Sequence, residues 1–187
     1  MQEVKSREFI KTRDIAYIAF FAVVIAVCSW ISIPTVVPFT LQTFAVFLTV
    51  GVLGGKRGTL AVFVYILLGV CGVPVFSGFS GGIGVLLGQT GGYIAGFLFS
   101  ALVMWGIEKL LGRSLWMLIL SMVLGILACY VVGTAWFMAV YGRTAGPVGV
   151  TAVLSWCVIP FIIPDAVKIA LACILSRRLA PVLNNLG

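Results

Sequence analysis

IAYIAFFAVVIAVCSWISIPTVVPFTLQTFAVFLTVGVLGG, from Ile15 to Gly55, carries no charged residue and is interrupted only by Pro34 and Pro38. A helix needs about 20 apolar residues to cross a bilayer, and proline breaks a helix. The stretch therefore reads as two crossings, 15–33 and 39–55. Gly58 to Ile107 is likewise uncharged, and Pro74 with a glycine-rich segment divides it into crossings near 58–73 and 90–107. Leu115–Tyr141 and Thr151–Ser176 complete an expected bundle of six helices, an all-α integral membrane protein with one domain over 1–187.

Composition agrees. Of 187 residues, 62% are hydrophobic and 9% charged, with mean hydropathy +1.23, whereas a soluble domain carries about 25% charged residues. So few charges cannot cover a water-exposed surface. A cytoplasmic globular enzyme, a nucleic-acid binder and a disordered chain are excluded. The chain has no histidine, which removes His-based acid–base catalysis, the Ser-His-Asp triad and His-ligated zinc. Its five cysteines stand singly in apolar runs and read as small buried hydrophobes. No cofactor or metal is expected.

The net charge of +7 is an orientation signal. Placing the N-terminus inside puts Lys5, Arg7, Lys11, Arg13, Lys56, Arg57, Lys109, Arg113, Arg177 and Arg178 on the cytoplasmic side. Arg143 alone lies in an outer loop and Lys168 within the last helix. This asymmetry follows the positive-inside rule, with both termini cytoplasmic. Pro34, Pro38, Pro74 and Pro147 fall in the outer loops. The N-terminus, mixing Glu3, Glu8 and Asp14 with cations before a long apolar run, is not read as a secretory signal.

Asp165 and Lys168 are the acid and the base inside a predicted span. Their i, i+3 spacing sets them on one helix face, with Asp165 about 18 Å from the inner boundary. Such residues are costly in lipid and face a cavity or a partner; a self-neutralising pair pinning two helices is the structural alternative. Pro160 and Pro164 leave carbonyls without helical partners. Pro164 also suits the first turn of a restarted helix, setting Asp165 near a positive dipole end.

In PVFSGFSGGIGVLLGQTGGYIAGF (Pro74–Phe97), Gly84, Gly88, Gly92 and Gly96 recur every four residues. Gly92 and Gly96 read as packing positions, while Gln89, Thr90 and Tyr93 offer neutral polar groups. The uncharged loop is expected to fold back over the bundle, since irregular backbone at membrane depth must be buried in protein. Neither G-x-G-x-x-G nor a P-loop is completed here. Ser121, Gly125, Cys129 and Gly133 form a second ladder, expected to make an internal contact. Ala22 and Ala26, with Ala19 beside them, form a small-residue face for an internal or a partner helix. Trp136, Phe137 and Tyr141 read as an interface belt or as ligand walls.

VPFTLQTF (Val37–Phe44), LGGKRG (Leu53–Gly58), the Pro74–Phe97 block and PFIIPDAVKIALA (Pro160–Ala172) together resemble BioY, the biotin-specific S-component family of energy-coupling-factor (ECF) transporters. Gln89 before Thr-Gly-Gly-Tyr and Pro164 directly before Asp165 depart from that pattern. The resemblance implies a six-helix subunit that binds biotin from outside and associates with a transmembrane coupling subunit and two cytoplasmic ATPases. It implies Asp165 and Lys168 as partners for the ureido group or the carboxylate, with Arg143 as another partner for the carboxylate. Phe79, Tyr93 and Tyr141 would cover the ring, Gln89 would add a polar contact, and Ala19, Ala22 and Ala26 would meet the coupling subunit. A vitamin of another kind, or proton-coupled transport through Asp165, stands as the alternative.

Overall fold

The computed structural model describes residues 11–146 and 148–185. Lys5, Arg7 and Pro147, used above, lie outside the described residues, as do Glu3 and Glu8. Among the described residues, eight α-helices follow in order: α1 Thr12–Trp30, α2 Gln42–Leu53, α3 Gly55–Val70, α4 Ile83–Leu87, α5 Gly91–Leu111, α6 Leu115–Thr144, α7 Val150–Cys157 and α8 Ile162–Asn185. Short 3-10 turns occupy Ser77–Phe79 and Ile159–Phe161. α5 packs along α6, α2 against α8, and α3 between α1 and α5.

Among the described residues, four helical stretches are long and apolar enough to cross a membrane: Thr12–Trp30, Gly91–Leu111, Leu115–Thr144 and Val150–Leu183. The second expected crossing is shorter than 39–55. Between α1 and α2, Pro34 and Pro38 forbid helix, and the backbone pairs instead as two short antiparallel strands, β1 Ser32–Ile33 and β2 Phe39–Thr40. That leaves α2 with 12 residues, about 18 Å of rise. The last expected crossing is not continuous either. α7 stops at Cys157, Pro160 lies in a 3-10 turn, and α8 restarts with Pro164 and Asp165 in its first turn.

α5 and α6 run past the expected ends at Ile107 and Tyr141, carrying Glu108, Lys109 and Arg143 on helix rather than in loops. The Leu53–Gly58 corner is tighter than a loop. Gly54, at φ +82° and ψ 164°, occupies backbone space open essentially to glycine alone, so α3 begins one residue after α2 ends.

The described cations other than Lys168 and Arg143 gather at one end of the bundle. Asp14 of α1 pairs with Arg57 at 3.1 Å. Glu108 accepts from the Gly55 N–H at 2.7 Å and lies 3.8 Å from Arg113 Nε. At the opposite end the Cys71–Thr90 connection is tied to helix ends. Ser29 Oγ donates to the Val75 carbonyl (2.5 Å), Trp30 Nε1 to that of Pro74 (2.9 Å) and Trp136 Nε1 to that of Gly88 (2.9 Å).

The small-residue ladder of α6 faces α5. Ser100 Oγ donates to the Gly125 carbonyl at 2.5 Å, and side chains at Gly133 and Gly96 would collide with Tyr93 and Cys129. Gly92 meets Trp136 in the same way, whereas Gly84 faces open space, so the four-residue repeat is a packing face only within α5.

Candidate ligand-binding site

Near the end opposite the cations, α2, α5, α6 and α8 enclose a cavity that the Phe76–Thr90 segment covers. It encloses about 120 Å³, less than the roughly 300 Å³ at which small-molecule sites begin.

The helix break positions its charged wall. Restarting at Ile162 puts Asp165 and Lys168 one turn apart on the cavity side, with both side chains about 6% exposed. Lys168 Nζ donates to Asp165 Oδ1 at 2.8 Å, and Tyr130 of α6 donates from its hydroxyl to Oδ2 at 2.6 Å. Lys168 Nζ also stands 4.2 Å from the centroid of Phe39, an aromatic face that attracts the cation. Phe39 in turn stacks on Phe161 at 5.9 Å. The negative charge sits in the first turn of α8, where the helix dipole favours it.

A second wall comes from β2 and α2. Thr40, Gln42 and Thr43 line the cavity. Gln42 Nε2 donates to the Tyr65 hydroxyl at 2.8 Å, and Tyr65 donates to the Val75 carbonyl at 3.1 Å. Tyr93 closes the α5 side, its hydroxyl 3.3 Å from Thr134 Oγ1. The remaining surface is largely apolar, with Phe76, Val85, Ile94, Phe97 and Ile126.

This arrangement suits an uncharged or mono-anionic ligand with an apolar body. Lys168 has three donors, of which Asp165 takes one. Each Asp165 oxygen keeps acceptor capacity beyond its present bond. One ligand group that both donates and accepts can therefore engage the pair without leaving a buried charge unpaired. Among the described residues, no three His, Cys, Asp or Glu side chains come together as metal ligands would.

The structure brings Asp165, Lys168 and Tyr93 together and places the other expected site residues elsewhere. Phe79 is 64% exposed and stacks on Trp30 at 4.9 Å. The positive φ at Gly78 and Phe79 turns its ring outward. Gln89 is half-buried outside the cavity wall, while its neighbour Thr90 lines it. Tyr141 stacks on Phe137 at 5.4 Å. It follows Tyr130 by three helical turns, about 16 Å along α6, and so lies beyond the cavity. Arg143, farther along the same helix, is exposed. Ala22 and Ala26 are buried in the chain's own core, 1% and 4% exposed, so they offer no partner surface. Ala19 is exposed on the other side of α1 with Phe20 and Val23.

Tyr130 and Gln42 are the contributions the sequence reading missed. Gln42 is the sole amide in Ile15–Gly55, and Tyr130 adjoins Cys129 of the packing ladder. A polar group within an uncharged run was the available signal in both cases.

The sequence profile of the BioY family matches residues 2–185. The chain is 39% identical over 168 residues to the biotin transporter BioY of Thermotoga maritima, covering 89% of this chain and 95% of that protein. It is 36% identical over 180 residues to biotin transporter BioY2 of Lactococcus lactis subsp. cremoris, 94% of each. The fold is similar to the crystal structure of the S-component for biotin from an ECF-type ABC transporter, with TM-score 0.79 and 27% identity over 89% of this chain and 90% of that one. With its apolar spans and this match over nearly its whole length, the chain is a multi-pass membrane protein that belongs to the BioY family.

Proposed function

We propose that this chain is the biotin-binding S component of an ATP-driven ECF importer, a transport subunit without catalytic activity of its own. It would capture biotin from the outer face and work with a transmembrane coupling subunit and two cytoplasmic ATPases. In this reading α1, α2, α3, α5, α6 and the broken α7–α8 unit are the six crossings. Both termini are cytoplasmic, as the cation-rich end requires under the positive-inside rule. The printed names of the relatives, biotin transporters, and the likeness to a biotin S-component support the assignment.

The observation that carries it is the Asp165–Lys168–Tyr130 cluster set in a largely apolar pocket under a loop. Biotin has an apolar bicycle, a ureido group with two N–H donors and a carbonyl, and a carboxylate. Asp165 can accept from a ureido N–H while Lys168 donates to the adjacent carbonyl. Hydrogen bonds to charged groups contribute roughly 1.5–3 kcal/mol each. Nanomolar affinity corresponds to about −12 kcal/mol, within reach of several such anchors and an apolar wall. The ion pair also speaks against Asp165 as a proton carrier, because protonating it would strand a buried ammonium.

Calorimetric titration with biotin tests the assignment. Wild-type protein should bind one equivalent tightly and Asp165→Asn should not. Because Asp165→Asn leaves Lys168 unpaired, a double variant with Lys168→Met, which buries no unpaired charge, should fold and still fail to bind. Folded wild-type protein that ignores biotin, or that prefers another vitamin in competition, would overturn the reading.

A further inference from the structure

Gln42 is the first residue of α2, and its backbone N–H is taken by Thr40 Oγ1 at 3.1 Å. Its side chain is buried and lines the ligand cavity. Nε2 donates to the Tyr65 hydroxyl at 2.8 Å, and Tyr65 donates to the carbonyl of Val75, at the root of the covering segment. Tyr65 stands on the buried stripe of α3, with Val62 before it and Gly69 one turn after it. A side chain at Gly69 would collide with Phe76, so the Phe76 ring can meet Tyr65 edge-on, with centroids 5.7 Å apart. Packing thus fixes the Tyr65 ring, and its hydroxyl decides the polarity of its neighbours.

That polarity has one solution. A carbonyl oxygen only accepts, and a phenol has one proton. With the proton given to Val75, the Tyr65 oxygen faces Gln42 as an acceptor, and Gln42 must answer with its NH2 group. Turned over, the amide would present oxygen. The single Tyr65 proton could then serve either Oε1 or Val75, leaving the other contact as two facing oxygens in the core, which is costly. The Ser29 hydroxyl donates to the same Val75 carbonyl at 2.5 Å and holds that acceptor in place. At the other end of the amide, Oε1 makes no hydrogen bond among the described residues.

We propose that Tyr65 is a positioning residue of this site: by giving its proton to the cover it orients Gln42, so that the amide oxygen is offered to an N–H of the ligand. Tyr65 does not itself line the cavity and acts through Gln42. The inference rests on the pocket being the biotin site, where that N–H is the ureido one left over by Asp165. The orientation lasts while Val75 is seated. When Val75 withdraws, the Tyr65 proton is free to turn to Oε1, and the acceptor is lost to the ligand.

Two readouts on the purified full chain test this. The sequence holds three glutamines, Gln2, Gln42 and Gln89, so protein isotope-labelled at glutamine side chains shows one NH2 pair for each in an NMR spectrum, and Gln42→Met identifies its own. Without any ligand, Tyr65→Phe, which keeps the ring, should shift the Gln42 pair and leave the others in place. In calorimetric titration with biotin, Tyr65→Phe and Gln42→Met should each weaken binding about fivefold, the effect of one neutral hydrogen bond. The double variant should be no weaker than Gln42→Met. A Tyr65 that only packs would add its own loss and bring the double variant to about 25-fold. An unmoved Gln42 pair in Tyr65→Phe, or additive losses, overturns the proposal. Wild-type protein that does not bind biotin overturns the ligand assignment instead, and the NMR readout then decides the hold of Tyr65 on Gln42 by itself.

Discussion

Asp165 holds three relationships at once: an ion pair with Lys168, a hydrogen bond from Tyr130 and the first turn of α8. Tyr130→Phe keeps the ring and removes one donor to a charged acceptor, a change worth roughly 1.5–3 kcal/mol. If Tyr130 acts through Asp165, the variant should fold normally and bind biotin about tenfold or more weakly in calorimetry, with unchanged stoichiometry. Gly54 is constrained differently. At φ +82° it stands where side chains are strained, and a Cβ there would come within 3.2 Å of Glu108 Oε1. Gly54→Ala should cost about 1–3 kcal/mol of stability, read as a lower melting temperature while biotin affinity in the folded fraction stays unchanged. The pocket is remote from that corner.

At the scale of elements, the broken last helix and the covering loop depend on each other's surroundings. Pro160 and the 3-10 turn end α7 so that α8 can present its first turn to the cavity. The Cys71–Thr90 connection is held by Ser29 and Trp30 at the end of α1 and by Trp136 of α6. Trp30 contributes both a hydrogen bond and the stack on Phe79. Removing it should loosen the cover without touching the pocket wall. In stopped-flow measurements Trp30→Ala should speed both entry and release of biotin, with the larger change in release. Equal rates in the variant would mean that the cover opens elsewhere, at the Gly88–Trp136 tie.

For the whole molecule, one exposed cysteine reports on orientation. Cys71 follows α3 at the end opposite the cations and is exposed, whereas Cys28 is half-buried and Cys129, Cys157 and Cys173 are buried. With the cation-rich end inside, a membrane-impermeant maleimide should label intact cells at Cys71, and Cys71→Ser should abolish that labelling. Labelling confined to inside-out vesicles would reverse the topology. The outward face of α1, with Ala19, Phe20 and Val23, is the part of that helix left exposed, because Ala22 and Ala26 are buried in the chain's own core.

The apolar helices around 15–30, 91–107 and 115–141 and the charged pair at 165 and 168 were legible in the sequence, because excluding charge from lipid is a local rule that each residue obeys by itself. The i, i+3 spacing of Asp165 and Lys168, and a helix restart with Pro164 in its first turn, likewise follow from helix geometry and missing N–H groups. Membership of the pocket was not local. Tyr130 and Gln42 enter it because α6 and α2 pack beside α8, while Tyr141 lies three turns too far along and Phe79 is rotated out by its turn. A stripe of small residues looks the same whether it meets its own chain or another. Tertiary packing turned Ala22 and Ala26 inward, since burying them required neighbours that only the folded bundle supplies.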